Sequence, residues 1–136
     1  MRQTKSKILN LYLELDKNIE KFVQQIIALG FLKIGDGSYK LVYSKNKLSY
    51  VVKVANSLND EFVDRLPSKL KNFYIKPYYI DNQIVIQDRA NTKLSQQSYE
   101  KIHSILGDES CSDLDIYKQN CGMLRGKPVV FDFAQI

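Results

Sequence analysis

The sequence predicts an α+β fold built on a five-stranded antiparallel sheet. Three observations predict it. Apolar residues recur at intervals of three and four from Ile8 to Leu29, five short β-rich runs lie between Phe31 and Gln87, and Gly, Asp, Asn and Lys separate most of those runs. At 136 residues the chain can bury a core without help from a metal or a disulfide. Its 44% hydrophobic and 26% charged residues, with nine Tyr and no Trp, describe a folded domain and not a disordered chain. We therefore expect one domain in three parts: a helix over 1–30, a sheet over 31–90 and a smaller C-terminal part over 91–136.

The first element follows from Ile8, Leu11, Tyr12, Leu15, Ile19, Phe22, Val23, Ile26 and Ile27, which line one face of a single amphipathic helix closed by Gly30. That apolar face must pack on the rest of the chain or form a homodimer contact. Strands are expected at Phe31–Ile34, Tyr39–Ser44 and Leu48–Val54, joined by GDGS and KNK. Asn59 caps a short helix through Arg65, ended by Pro67. The runs FYIKPYY and QIVIQ, hinged at IDN, supply the last two strands of the sheet. Ser95–Leu106 is again helical, with Tyr99, Ile102, His103 and Leu106 on one face and Gly107 at its end. GMLRGKPVVF then forms a hairpin turned at Arg125 and Gly126.

Cys111, Cys121 and the single histidine, His103, have no metal-ligand spacing, so both cysteines read as free thiols in a reducing compartment. No segment approaches the length of a membrane span and the N-terminus lacks an apolar signal core, so we expect a cytoplasmic protein with no membrane partner. The net charge of +5 is uneven, with ten basic against five acidic residues in 1–60. A basic face suits phosphates or an acidic partner. A solvated lysine surface explains it equally, and without a recognition motif the charge does not point to nucleic acid.

Binding a phosphate requires close backbone approach and a fixed cation, and magnesium requires hard oxygen ligands. Gly35 and Gly37 flank a strand-to-strand turn, and Lys53 lies in VVKVA, where alternation sends Val52 and Val54 one way and Lys53 the other. Each feature has a plain alternative: GDGS as an ordinary turn, Lys53 as an edge-strand charge, Asp115 and Asn120 as a polar loop.

Taken together and in order, IGDGSYKLVY, VVKV, DIYKQN and FDFA resemble the glycine-rich loop, third-strand lysine, catalytic loop and metal-binding aspartate of the protein-kinase-like superfamily. The resemblance covers Phe31 to Phe133 and is nearest to RIO-type atypical kinases and to small kinase-like proteins of bacterial viruses, which would act in the host cytoplasm. It implies an N-lobe holding the five-stranded sheet and a much reduced C-lobe of one helix and the catalytic-loop hairpin, without the activation segment and peptide-binding helices of a full kinase. By position, it implies ATP and Mg2+ as cofactors. Lys53 would hold the α/β phosphates, Asp132 and Asn120 the metal, and Asp115 would receive the proton of the attacking hydroxyl. Glu61 would pair with Lys53, or else is an exposed helix-start carboxylate. Val42 and Val51, with Met123 or Leu124, would sandwich the adenine, or else are core. The sequence departs from the pattern at Lys40 for the third glycine, Asp113-Leu114 for His-Arg, Tyr117 for a lysine, and Ala134 for the last glycine.

Two functions follow. One is a minimal ATP/Mg-dependent phosphotransferase acting on a Ser/Thr hydroxyl of a partner protein or of itself. The alternative is a pseudokinase-like module that works by binding a partner through a surface such as KNFYIKPYY.

Overall fold

The computed structural model describes residues 3–36, 41–55, 68, 70–113 and 116–131. The chain is α+β and divides into two compact units. The first comprises Met1–Leu58 and Pro77–Asp88, the second Asn59–Lys76 and Arg89–Ile136.

The first unit opens with two helices where periodicity predicts one. Helix α1 spans Lys5–Glu14 and α2 spans Ile19–Ala28. Between them Asp16 and Lys17 adopt left-handed φ values of 55° and 58°, which ends a right-handed helix. Asn18 then accepts from the Lys21 N–H at 3.1 Å and caps α2. The single helix Ile8–Leu29 is thus corrected to a helical hairpin. The expected spacing survives because Leu15 and Ile19, on either side of the break, pack on the same core. At the far end Gly30, at φ 98°, lets the Phe31 N–H reach the Ile26 carbonyl at 3.0 Å and satisfy an orphan acceptor of α2.

Strands β1 (Leu32–Asp36), β2 (Leu41–Ser44), β3 (Tyr50–Val54), β4 (Tyr79–Ile80) and β5 (Ile84–Asp88) form the expected five-stranded antiparallel sheet, in the order β1-β2-β3-β5-β4. One sheet face carries Tyr43, Tyr50, Val52, Val54, Ile84 and Ile86. It packs against Ile8 and Tyr12 of α1 and Phe22 and Ile26 of α2. Most of the apolar helix face is therefore buried inside its own unit, while Ile27 remains half-exposed. Tyr12 meets Phe22 edge-on, with ring centroids 5.2 Å apart.

Asp81 fastens this layer to the sheet. Its Oδ1 accepts the backbone N–H groups of Gln83 (2.8 Å) and Ile84 (2.9 Å), closing the β4–β5 turn, while Oδ2 accepts the hydroxyls of Tyr12 (2.8 Å) and Tyr79 (3.0 Å). Gln83 completes the network, donating from Nε2 to the Tyr12 oxygen and to the Lys17 carbonyl. Burial pushes the Asp81 carboxyl upward, but the two backbone N–H groups and two hydroxyls outweigh it and leave its pKa lowered.

FYIKPYY is not a strand. Leu70–Phe73 is a 3-10 turn, Tyr74 makes one isolated bridge to Val130, and only Tyr79–Ile80 joins the sheet. Pro77 has no N–H to give a ladder, and the chain passes between units at Lys76/Pro77. The stretch buries Phe73 and Ile75 and leaves Tyr78 half-exposed. The helix expected at Asn59–Arg65 lies outside the described residues.

The second unit contains α3 (Ser95–Leu106), ended by Gly107 at φ 85°, and a hairpin of β6 (Cys121–Leu124) and β7 (Lys127–Val130). The hairpin turns at Arg125 (φ 51°) and Gly126 (φ 79°), both left-handed as a type I′ turn demands. A second helix, α4 (Asp108–Asp113), corrects the expectation of one. The acidic residues Asp108 and Glu109 fall in its first turn, where the helix dipole favours them. Phe73, Ile102, Cys111, Ile116, Cys121 and Val130 form this unit's core.

Replacing Asp81 by Ala leaves the buried Tyr12 hydroxyl and two turn N–H groups without their acceptor, and should cost about 1–3 kcal/mol of stability in urea unfolding. Because the folded-state pKa of Asp81 is lowered, its contribution is complete above the unfolded carboxylate pKa of about 3.9 and is lost as pH falls through the lower folded value. Unfolding midpoints should therefore fall with acid more steeply in the wild type than in Asp81→Asn.

Candidate functional site

The candidate residues of the first unit lie in one row. Strand register sets Gly35 opposite Val42, Val42 opposite Lys53, Lys53 opposite Val85, and Val85 opposite Ile80. Directly opposed residues share a sheet face, so Lys53 stands at the centre of a five-strand row with a valine on either side. Val51, two residues along β3 on the same face, opposes Gln87. Val52 and Val54 belong to the opposite, helix-covered face, as alternation predicts.

Lys53 is only 7% exposed. Burying an ammonium costs several kcal/mol unless an anion or acceptors compensate it. Lys53 is accordingly engaged and not free. It is also a central-strand residue, flanked by β2 and β5, which disposes of its reading as an edge-strand charge.

Gly35 sits where the β1–β2 register slips by one residue, making Ile34 the extra residue of a bulge. A Cβ at Gly35 would stand 3.3 Å from Cβ and Cγ2 of Val42, so even a methyl group crowds the row. Gly37, in the loop beyond, lies outside the described residues, as does Glu61.

In the second unit Asn120 is half-buried and closes a 3-10 turn, Lys118–Asn120. Its N–H donates to the Tyr117 carbonyl at 2.8 Å, and its carbonyl accepts the Phe131 N–H at 2.9 Å. Asn120 is thereby pinned across the open end of the hairpin to the residue that precedes Asp132. Asp115 and Asp132 themselves are outside the described residues. Their neighbours are anchored: Ile116 is fully buried and donates its N–H to the Cys111 carbonyl at 2.8 Å, and Phe131 is held by Asn120.

Gly122 is a structural requirement of this segment that sequence reasoning missed. Met123 and Asn91 exchange two backbone hydrogen bonds, each 2.8 Å, which draws segment 90–91 against β6. A Cβ on Gly122 would lie 2.7 Å from the Asn91 carbonyl oxygen. The signal was a glycine inside a strand pattern two residues after the candidate metal ligand Asn120.

Cys111 and Cys121 are free, as expected, and both are buried. Burial, with Cys111 second, pushes the Cys121 thiol up to about 12, and burial, with Asp108 second, raises that of Cys111. Neither is a nucleophile near neutral pH. His103 pairs with Asp108 and lies against the Tyr99 ring, with centroids 5.4 Å apart. Among the described residues no group of three His, Cys, Asp or Glu could hold a metal, and no described helix is long and apolar enough to cross a membrane.

No protein-family model matches the chain, and comparison with curated proteins and with solved structures yields no match.

Gly122→Ala forces a methyl group into a backbone carbonyl that cannot rotate away, and should destabilise the second unit by about 1–3 kcal/mol. Hydrogen exchange at the Asn91 and Met123 amides should accelerate in that variant while the amides of β3 keep their wild-type protection.

Proposed function

We propose that the chain is a minimal protein-kinase-like phosphotransferase that uses ATP and magnesium and acts on a Ser/Thr hydroxyl of a partner protein or of itself. The observation that carries this reading is the placement of Lys53: a buried cation on the third strand, in a row that begins at Gly35 and leads into the glycine-containing loop. A phosphate-binding lysine in kinases occupies the third strand. The donor chemistry also fits, since Asn120 and Asp132 offer the hard oxygens magnesium prefers.

In this reading Lys53 holds the α/β phosphates through its ammonium, and Gly35 keeps the row's edge open to a phosphate chain. Val42 and Val51 supply apolar contact for the base on the same sheet face. Asn120 and Asp132 hold magnesium, which when bound neutralises phosphate charge. Asp115 orients the acceptor hydroxyl and takes its proton. The γ-phosphoryl would pass to that hydroxyl oxygen as ADP leaves, so catalysis rests on positioning and charge neutralisation.

A second reading, a kinase-like module that works by docking on a partner protein, draws on a different observation. Ile27, Leu29, Leu32 and Ile34 are 52%, 41%, 67% and 46% exposed within one short stretch of chain. Such a concentration of exposed apolar side chains is a feature of interaction surfaces.

Calorimetric titration of ATP, with and without magnesium, into the wild type and the Lys53→Met and Asp132→Ala variants separates the two. The phosphotransferase reading expects magnesium-dependent binding that Asp132→Ala abolishes. It expects Lys53→Met to weaken binding by about tenfold or more, as loss of a charge-assisted hydrogen bond implies. Mass spectrometry should then find phosphoserine or phosphothreonine after incubation with magnesium and ATP. A folded wild type that takes up no nucleotide would sink this reading and leave the docking module.

A further inference from the structure

We propose that the outer edge of β1 is a docking site for an acidic, extended peptide segment of a partner protein, which adds to the sheet as a further strand. This site rests on the docking reading above, for which it supplies the place and the kind of partner, and it does not depend on nucleotide. β1 stands at a border of the five-stranded sheet, and among the described residues β2 alone pairs with it. A border strand presents a row of backbone N–H and C=O groups on its open side, and a peptide laid along them gains main-chain hydrogen bonds. Leu32 and Ile34 on that strand are 67% and 46% exposed, and Ile27 and Leu29 at the end of α2 are 52% and 41% exposed. Apolar surface is therefore on offer with the open edge. The other border strand, β4, is only Tyr79–Ile80 and half-buried, so it gives a peptide little to pair with.

Charge selects the occupant. Residues 27–48 hold four lysines, Lys33, Lys40, Lys45 and Lys47, against the single acid Asp36. Lys33 and Lys47 are exposed. Lys45 Nζ donates to the Leu29 carbonyl at 3.3 Å and stands 5.9 Å from the centroid of the Phe31 ring, which sets a cation at the junction of α2 and β1. A neutral carbonyl cancels none of that charge. The field depends on the sum of these charges, whatever further bonds Lys33 and Lys45 make. It attracts a partner rich in carboxylates. A second copy of the chain would bring the same positive excess against itself and is repelled.

The edge is also guarded in a way that suits a selective partner. Lys33 stands between the two exposed apolar residues of the strand, and the register slip between Lys33 and Gly35 bends it. Both devices discourage indiscriminate pairing. For an acidic strand the lysines turn from a barrier into an attraction, which separates it from a purely apolar one. The segment that fits therefore alternates apolar and acidic residues over at least the length of Leu32–Asp36.

Amide NMR of the full chain, titrated with end-blocked octapeptides of alternating Val and Glu or of alternating Val and Lys, tests the site. The Val–Glu peptide should shift amides within Leu32–Asp36 saturably. The Val–Lys peptide should bind about tenfold more weakly or worse, and so should a Val–Glu peptide with a central Pro, which lacks an N–H for the ladder. Leu32→Asp, at an exposed position, should weaken Val–Glu binding by about tenfold or more while the β3 amides keep their wild-type positions. Wild type and Leu32→Asp should sediment alike. Saturable shifts confined to other parts of the chain would overturn strand addition at β1 and leave the docking reading standing. No saturable shift anywhere, equal binding of the Val–Lys or Pro-containing peptide, unchanged binding in Leu32→Asp, or a dimer that Leu32→Asp dissolves would each overturn the proposal.

Discussion

A lysine buried in the middle strand of a sheet constrains everything around it. All five residues of β3 are buried, so the strand is covered on both faces. On one face Tyr50, Val52 and Val54 satisfy that demand with ordinary apolar packing against the helical hairpin. On the other, Lys53 needs a compensating partner, because the side chains of Val42 and Val85 beside it carry no polar atom. The sheet is thus asymmetric: one face is sealed by the chain's own helices, and the other is organised around a cation.

The N-terminal segment is what makes the sealed face permanent. Three of its polar groups reach different parts of the sheet: the Gln3 carbonyl meets Tyr50, Lys5 meets Asp88, and the Tyr12 hydroxyl meets Asp81. Tyr50 and Tyr12 are held protonated by burial, which in Tyr12 is reinforced by the Asp81 carboxylate, with the Tyr50 hydroxyl pushed up to about 12. They remain reliable donors throughout the neutral range. The apolar stripe of α1 and α2 supplies most of the burial, and these donors fix its register on the strands.

Much of this was legible in the sequence, and the failures have physical causes. The sheet, α3 and the Arg125–Gly126 hairpin announce themselves through short-range patterns that tertiary packing did not override. The break at Asp16–Asn18 was hidden because Leu15 and Ile19 sit four apart, a spacing that reads as one helix whether or not the backbone turns between them. FYIKPYY misled because aromatic and β-branched residues favour strands, while pairing depends on partners that Pro77 and a passage between units denied it. At the candidate site the orientation of Lys53 followed from alternation alone. The need for glycine at position 122 did not, because it depends on the Asn91 carbonyl, a contact that only the folded unit creates.

The two isolated bridges of the second unit have a consequence for how the protein behaves in a crowded solution. A two-stranded hairpin standing alone would present two open edges, each a template for another chain to extend. Here Met123 on one edge is bonded to Asn91, and Val130 on the other is bridged to Tyr74. Each border of this two-stranded sheet is thus bridged at one position by its own chain. The bridges at Asn91 and Tyr74 thereby deny a growing aggregate a point of attachment on each side.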